Sequence, residues 1–314
     1  MKTITLSPYD PIWPKIFTQE AEKIQRALSS NMVEIHHIGS TSVPGLLAKP
    51  KIDIIAVVKN GKDAIFALEN AGFTYKGEWN IPFQYGLTKR EDISVNLHVF
   101  EEMHPEIELN LLFRNYLRAN ENARDEYGAL KQKILSDPTS FERKASEFPL
   151  YTLRKADFIR EIIGRTEFSR FRMIKCTHTW EYDHYHRIRR TVIFEPMGVL
   201  YDPHHPTITG ANHHHFLLLK GITPVGVAHL EMLTAKTYAL RPFAVDIPYQ
   251  TKGMGSYFLP YIEKWINRQG AHTVKLHANP RAINFYTRLG YSPMPFVEKE
   301  KPLSLDTIDM GKYL

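Results

Sequence analysis

Apolar and polar positions along this chain follow two periods, and the order of those periods separates two sets of elements. Helical spacing runs through residues 15–28 after Asp10-Pro11-Ile12-Trp13-Pro14. The run in 49–58 ends in a continuously apolar stretch and predicts a buried strand. Residues 93–100 alternate and predict a second strand, carrying Asn96 and His98. Helical spacing returns over 111–135 and again over 148–163. Gly164-Arg165-Thr166 breaks that pattern, and a strand-like register starts at 168–172. Beyond it, 187–195 suits a helix, while 216–220 and 225–233 suit a hairpin with its turn at 221–224. Thr237–Val245 reads as the next strand, 256–265 as a helix and Thr273–Ala278 as a further strand. The expectation is an α/β (α+β) protein of two domains, 1–166 and 167–314, each a mixed sheet with helices, divided between Arg165 and Phe168.

The junction at Val245-Asp246-Ile247-Pro248-Tyr249-Gln250-Thr251-Lys252-Gly253-Met254-Gly255 is the most informative stretch. A strand ends in a Gln-x-x-Gly-x-Gly loop and a helix follows at once, so unpaired backbone N–H groups gather at a positive helix end. That arrangement seats a pyrophosphate. Gly253 and Gly255 permit positive φ and let a ligand approach the backbone without a Cβ in the way. A short glycine motif has many explanations, but a second motif follows the next strand. Asn279-Pro280-Arg281-Ala282-Ile283-Asn284-Phe285-Tyr286-Thr287-Arg288-Leu289-Gly290-Tyr291 places Pro280 near a helix start and Gly290 past its end.

These two motifs, in this order, resemble the GNAT N-acetyltransferases. The resemblance implies that acetyl-CoA is a substrate, with Val245, Ile247, Gln250, Thr251, Lys252, Gly253, Met254, Gly255 and Ser256 around its pyrophosphate and thioester. It implies that Asn279 contacts the pantetheine and that Tyr286 protonates the departing thiolate. The chemistry is consistent, since amine attack on a thioester expels a thiolate that a phenol can protonate. Backbone N–H groups near 245–247 would polarise the thioester carbonyl. The plainer explanation of Tyr286, an aromatic packed in a core, is the commoner one for any isolated helix tyrosine.

Length and composition narrow the rest. The 314 residues exceed a typical single domain, and 43% hydrophobic with 24% charged residues describe an ordinary globular chain. No apolar run approaches the roughly 20 residues of a bilayer span. The first residues lack the apolar core of a signal peptide. A single cysteine, Cys176, excludes an intramolecular disulfide and suits a cytoplasmic protein. The net charge of +6 favours acidic ligands such as CoA or a nucleotide, but no dense Lys/Arg tract or RNA-binding signature points to nucleic acid.

The first half carries its own signature: His36-His37-Ile38-Gly39-Ser40-Thr41-Ser42-Val43-Pro44-Gly45, then Lys49-Pro50-Lys51-Ile52-Asp53, then Phe113-Arg114-Asn115-Tyr116-Leu117-Arg118. This set resembles the GrpB family over most of residues 1–165. That family is related to the nucleotidyltransferase fold, where a Gly-Ser turn holds phosphates and acidic residues on adjacent strands hold Mg²⁺. This sequence departs from that pattern, with Ile55 two residues after Asp53 and His98 where a third acid would come. One carboxylate is a poor site for two metal ions. Gly39, Ser40, Lys49, Asp53 and His98 are left as a candidate ligand site, with a nucleotide as its ligand. The alternative is a structural turn anchored by Asp53. No metal is expected there.

On the acceptor side, 187–195 and the Tyr201-Asp202-Pro203-His204-His205-Pro206 loop would border the amine. Glu231 is preferred as the general base over Asp246, with His229 sharing its strand face. His204, His205 and His213-His214-His215 lack the spaced framework of a metal site. The reading is an N-acetyltransferase acting on a small-molecule or peptide amine, with a GrpB-like accessory or ligand-binding domain. Its rival is a non-catalytic protein that senses CoA or a nucleotide. Neither the acceptor nor the oligomeric state is written in the sequence.

Overall fold

The computed structural model describes residues 5–142, 148–298 and 306–314. It separates into two compact units, Met1–Arg172 and Met173–Leu314, with the strand that opens the second sheet running across that division. The mixed α/β class expected from the sequence is the one observed in both halves. Among the described residues, no helix is long and apolar enough to cross a membrane.

The first unit begins with α1 (Ile12–Leu28), whose buried stripe of Trp13, Ala21, Ile24 and Leu28 follows from helical spacing. Strands β1 (Met32–Ile38) and β2 (Lys51–Val58) pair antiparallel, and α2 (Gly61–Asn70) follows, its first turn capped by the Asn60 side chain. Strands β3 (Thr74–Gly77), β4 (Tyr85–Lys89) and β5 (Ser94–Glu101) complete a five-stranded sheet in the order β1-β2-β5-β4-β3, with β2 and β5 parallel. Alternation along β2 sends Ile52, Ile54, Ala56 and Val58 into a core with Trp13, Ile24, Leu28 and Leu68. The opposite face carries Lys51, Asp53, Ile55 and Val57, of which Ile55 and Val57 pack with Ile38 and Phe100.

The helical region expected over 111–135 is two helices, α3 (Pro105–Ala119) and α4 (Glu121–Leu135). Asn120 between them is extended, at φ −122° and ψ 99°, and its amide donates to the Tyr116 carbonyl at 2.9 Å. Asparagine often competes for backbone partners at helix ends, and here it ends one helix and starts the next. The segment expected as one helix over 148–163 is likewise divided, into α5 (Leu150–Leu153) and α6 (Ala156–Gly164). Val43, Leu46, Leu117, Ala123, Tyr127 and Ile162 tie these helices into a second core.

The second unit is built on a seven-stranded sheet in the order β11-β12-β10-β9-β8-β7-β6. Its strands are β6 (Phe171–Lys175), β7 (His213–Lys220), β8 (Thr223–Thr234), β9 (Thr237–Val245), β10 (Thr273–Ala278), β11 (Ser292–Pro293) and β12 (Ile308–Tyr313). The expected hairpin is present as β7 and β8. The helix expected at 187–195 begins earlier, as α7 (Thr179–Arg189), and passes into a π-helical turn at Arg190–Phe194. A reciprocal cap sets its true start: His178 Nδ1 accepts from Trp180 N, and Glu181 Oε2 accepts from His178 N at 2.9 Å. Histidine is an uncommon N-cap, so no residue type marks that start. Helix α8 (Met254–Arg268) covers the sheet with Phe258, Leu259, Ile262, Trp265 and Ile266, and α9 (Ile283–Arg288) follows β10.

Candidate active site

Strands β9 and β10 are parallel, yet their ladder holds only Thr273↔Thr237, Val274↔Tyr238 and Lys275↔Ala239. Past Ala239, β9 continues for six residues paired with β8 alone, while β10 past Lys275 continues paired with β12. The facing edges therefore diverge, and their peptide groups are left for another partner.

The glycine loop lies at the C-terminal end of β9. Asp246 caps a short turn at Ile247–Tyr249, and Gln250 returns its side-chain amide to the Val245 carbonyl at 2.9 Å. Thr251 (φ 59°) and Gly253 (φ 79°) then adopt left-handed backbone. Gly253 is the N-cap of α8, and the first helical bond in this turn runs from Tyr257 N to the Gly253 carbonyl. The N–H groups before Tyr257 therefore have no carbonyl one turn back. Gln250, Thr251, Lys252, Gly253 and Ser256 are exposed, and Met254 and Gly255 partly so. This end of a fifteen-residue helix presents free N–H groups and the positive end of the helix dipole to solvent.

Packing brings the second motif to the same place. A Cβ on Gly255 would stand 3.1 Å from the Phe285 ring and 3.8 Å from Phe243, so β9, the first turn of α8 and α9 converge there. Tyr286, next along α9, is 9% exposed, with its ring against Phe285 and Tyr291. Burial pushes its phenol well above the ordinary tyrosine range, so it stays protonated at neutral pH. Asn279 is exposed, and its side chain accepts from Arg281 N at 3.0 Å, which fixes the turn between β10 and α9.

The acceptor-side carboxylates are engaged. Glu231 Oε2 accepts from Arg241 Nε at 2.7 Å, and its Oε1 accepts from the Asn212 amide at 3.3 Å. Arg241 also holds Glu298 at 2.5 Å, Glu298 meets His277 Nε2 at 2.7 Å, and His277 Nδ1 meets Asp309 at 2.9 Å. Burial raises the Glu298 carboxyl, but hydrogen bonds from Arg241 and His277, with their charges, lower it further, and the net shift is downward. Asp246 is buried and paired with Arg187 at 2.7 Å.

A cluster that the sequence reading did not assemble lies under α7. Tyr185 OH is shared between His215 Nδ1 and Arg189, each at 2.8 Å, and His213 Nδ1 meets His229 Nε2 at 2.9 Å. Burial, then the Arg189 charge, lowers His215 to about 3. Burial likewise lowers His229, which keeps both imidazoles neutral. His205 instead caps its own turn at Pro206–Ile208. His213 and His215 lie on one face of β7, which begins three residues before the strand expected from Phe216.

In the first unit, Gly39 has φ 69° and ψ −175°, backbone that is essentially confined to glycine. A Cβ there would fall 2.5 Å from Asp53 Oδ2. Asp53 Oδ1 accepts from Asn96 at 2.8 Å, and His98 Nδ1 meets the Gln84 amide at 2.7 Å. Arg114 and Arg118 hold the loop from both sides through the carbonyls of His37 and Ser42. The donors around Asp53 do not fit a two-metal centre. Among the described residues, no group of three or more His, Cys, Asp and Glu side chains could hold a metal ion.

Comparison with known proteins matches residues 3–165 to the GrpB protein family and residues 170–291 to the acetyltransferase (GNAT) family. A UPF0157 protein of Halalkalibacterium halodurans is 38% identical over 166 residues, covering 52% of this chain and 82% of the relative. The crystal structure of the conserved protein GrpB from Enterococcus faecalis is 32% identical, with a TM-score of 0.45 over 50% of this chain and 94% of that one. A GNAT-family acetyltransferase from Staphylococcus aureus is 14% identical, with a TM-score of 0.39 over 46% of this chain and 99% of that one.

Proposed function

This chain belongs to the GrpB family and carries a GNAT-family acetyltransferase domain after it, and from that premise we propose that its second unit moves acetyl from acetyl-CoA directly to an amine. The observation that carries the reading is the convergence at Gly255 of the exposed α8 terminus, the open edge of β9 and the helix bearing Tyr286. Residues 250–256 hold the pyrophosphate through backbone N–H groups, with Val245 and Ile247 beside the thioester and Asn279 at the pantetheine. The amine nitrogen forms a bond to the thioester carbon, the C–S bond breaks, the sulfur takes the proton of the Tyr286 phenol, and the second proton lost by the nitrogen as the amide forms restores that phenol. The ammonium form of the acceptor must first lose a proton. Glu231 is the proposed base, and it can accept that proton only when its ion pair with Arg241 opens.

The first unit serves as an accessory or ligand-binding domain, with Gly39, Ser40, Lys49, Asp53 and His98 around its ligand and the domain boundary near residues 166 and 167. The acceptor is a small-molecule or peptide amine, and the protein acts in the cytoplasm. Free-thiol release from acetyl-CoA, measured over a panel of primary amines, tests the reading. Amine-dependent thiol release supports transfer. Tight acetyl-CoA binding with no release for any amine favours a CoA-sensing protein instead.

A further inference from the structure

One guanidinium in the second unit is buried with no acid to balance it. Arg189, the last residue of α7, is only 5% exposed. Its Nη1 donates to the Tyr185 hydroxyl at 2.8 Å, while its Nε is buried and has no hydrogen-bond partner. Nε and Nη2 form the edge of a guanidinium that takes a carboxylate in two parallel hydrogen bonds. Among the described residues, no acceptor meets that edge. The rings of Tyr185, Phe194 and Tyr201 wall the group, with centres 5.1 to 5.8 Å from its central carbon. Among the described residues Arg189 forms no ion pair, whereas Arg187 and Arg190 beside it pair with Asp246 and Glu195.

Tyr185 does not supply the missing charge. His215 Nε2 faces the Thr207 carbonyl at 3.1 Å and so carries the proton, which leaves Nδ1 to accept from the Tyr185 hydroxyl at 2.8 Å. Burial also pushes that phenol far above the ordinary tyrosine range, so it stays neutral. A buried cation left unpaired is costly, and a bound anion removes that cost. Farther along the same face the imbalance has the opposite sign. His215 leads to His229, whose ring centre is 4.6 Å away, and then to His213, which pairs across the strands with Glu231. There Glu231, Glu298 and Asp309 share Arg241 and His277. A row of imidazoles thus separates an unpaired cation from a group richer in carboxylates.

We propose that the acceptor carries a carboxylate as well as its amine, and that Arg189 binds this carboxylate side-on through Nε and Nη2. The proposal rests on the reading of the second unit as an acetyltransferase, and it narrows the acceptor from any amine to an amino acid. A single guanidinium walled by three rings suits a planar monoanion better than a phosphate dianion. The row of imidazoles then orients the ligand, with its ammonium toward Glu231. Tyr185 stands on α7 and Phe194 in the turn after it, so Tyr201 is the ring of the three that stands on a loop. Its hydroxyl meets His186 Nδ1 at 2.5 Å, and the ligand enters on that side.

The test is thermal unfolding of the full chain in the presence of CoA, titrated with the common L-amino acids, γ-aminobutyrate and ε-aminohexanoate, each beside its carboxamide. Stabilisation by at least one acid supports the proposal, provided that binding is at least about tenfold weaker for its carboxamide and for Arg189→Met with the acid. Equal binding of acid and carboxamide overturns it, as does binding of none of the acids. Acid binding that Arg189→Met retains in full overturns it as well. Thiol release from acetyl-CoA with the same compounds separates the two readings. Acid-selective binding without release defeats acetyl transfer and leaves the carboxylate site standing. Release with acids and carboxamides alike keeps acetyl transfer and overturns the carboxylate site. Where acids are acetylated, the loss in Arg189→Met should fall on KM rather than on kcat, because the carboxylate takes no part in the bond changes. Should Arg189→Met fail to fold, the comparison of acid with carboxamide in the wild type decides alone.

Discussion

Gly255 in the first turn of α8 lies against Phe285 of α9, and a Cβ on that glycine would stand 3.1 Å from the ring. This contact joins the N-terminal end of α8 to the helix that carries Tyr286. Gly255→Ala should weaken acetyl-CoA binding by displacing Phe285, while Gly253→Ala meets open space and should act mainly through its left-handed backbone, costing about 1 kcal/mol. Thermal unfolding and acetyl-CoA titration of the two variants separate these effects.

Tyr286→Phe should lower kcat about 10²-fold while leaving the Kd for acetyl-CoA unchanged, because the role proposed for the hydroxyl is on the departing thiolate and not on the bound ground state. Single-turnover thiol release gives the rate, and an unchanged rate at saturating substrate removes the phenol from the mechanism. Its raised pKa also has a stability consequence. The folded state holds the proton more tightly than an unfolded tyrosine at about 10, so stability falls as pH rises above that value. Alkaline urea titrations of wild type and Tyr286→Phe should differ in that range.

Arg241→Met should destabilise the second unit by about 2 kcal/mol, since Glu231 and Glu298 would face each other without their shared guanidinium. The figure is below that for a fully buried pair because all three side chains keep some solvent contact. Glu298 has a lowered folded pKa, so its contribution is present above the ordinary carboxylate value of 4.5 and is lost as pH falls below it. Glu231→Gln tests the base. A base role predicts a loss of about 10² or more in kcat, whereas a purely structural role moves the melting temperature and leaves kcat in place.

Gly39→Ala should cost at least about 2 kcal/mol, because the backbone is left-handed and the new methyl would strike Asp53. Urea denaturation of the full chain measures it. A neutral result would mean that the loop relaxes away from Asp53.

His37 is lowered to about 4 by burial, with the pull of Asp53 opposed by Arg118 and Arg114. The unfolded state binds the proton first as pH falls, so stability should be lost between pH 6.5 and about 4, on the order of 3 kcal/mol from this group. His37→Gln should flatten that part of the stability curve. NMR titration should find the imidazole neutral at pH 5.

The two motifs that carry the proposed reaction were legible because backbone chemistry dictates them. A left-handed N-cap at Gly253 and a close contact at Gly255 both favour glycine, and Thr237–Val245 and Thr273–Ala278 keep a strand pattern to their ends. Boundaries set by side-chain caps were not legible. The start of α7 depends on a His178–Glu181 pair, and the break at Asn120 interrupts an otherwise continuous helical spacing. Long-range partners were hidden as well. Glu231 looks like a free carboxylate in sequence, but Arg241 lies opposite on β9 and Glu298 arrives from beyond β11.

The most direct measurement is calorimetric titration of the full chain with acetyl-CoA, repeated with Gly253→Glu/Gly255→Glu. Binding by the wild type and none by the folded double variant is the predicted result, because two carboxylates would occupy the proposed pyrophosphate site at the start of α8. Failure of the folded wild type to bind acetyl-CoA, or equal binding by both proteins, would contradict the account.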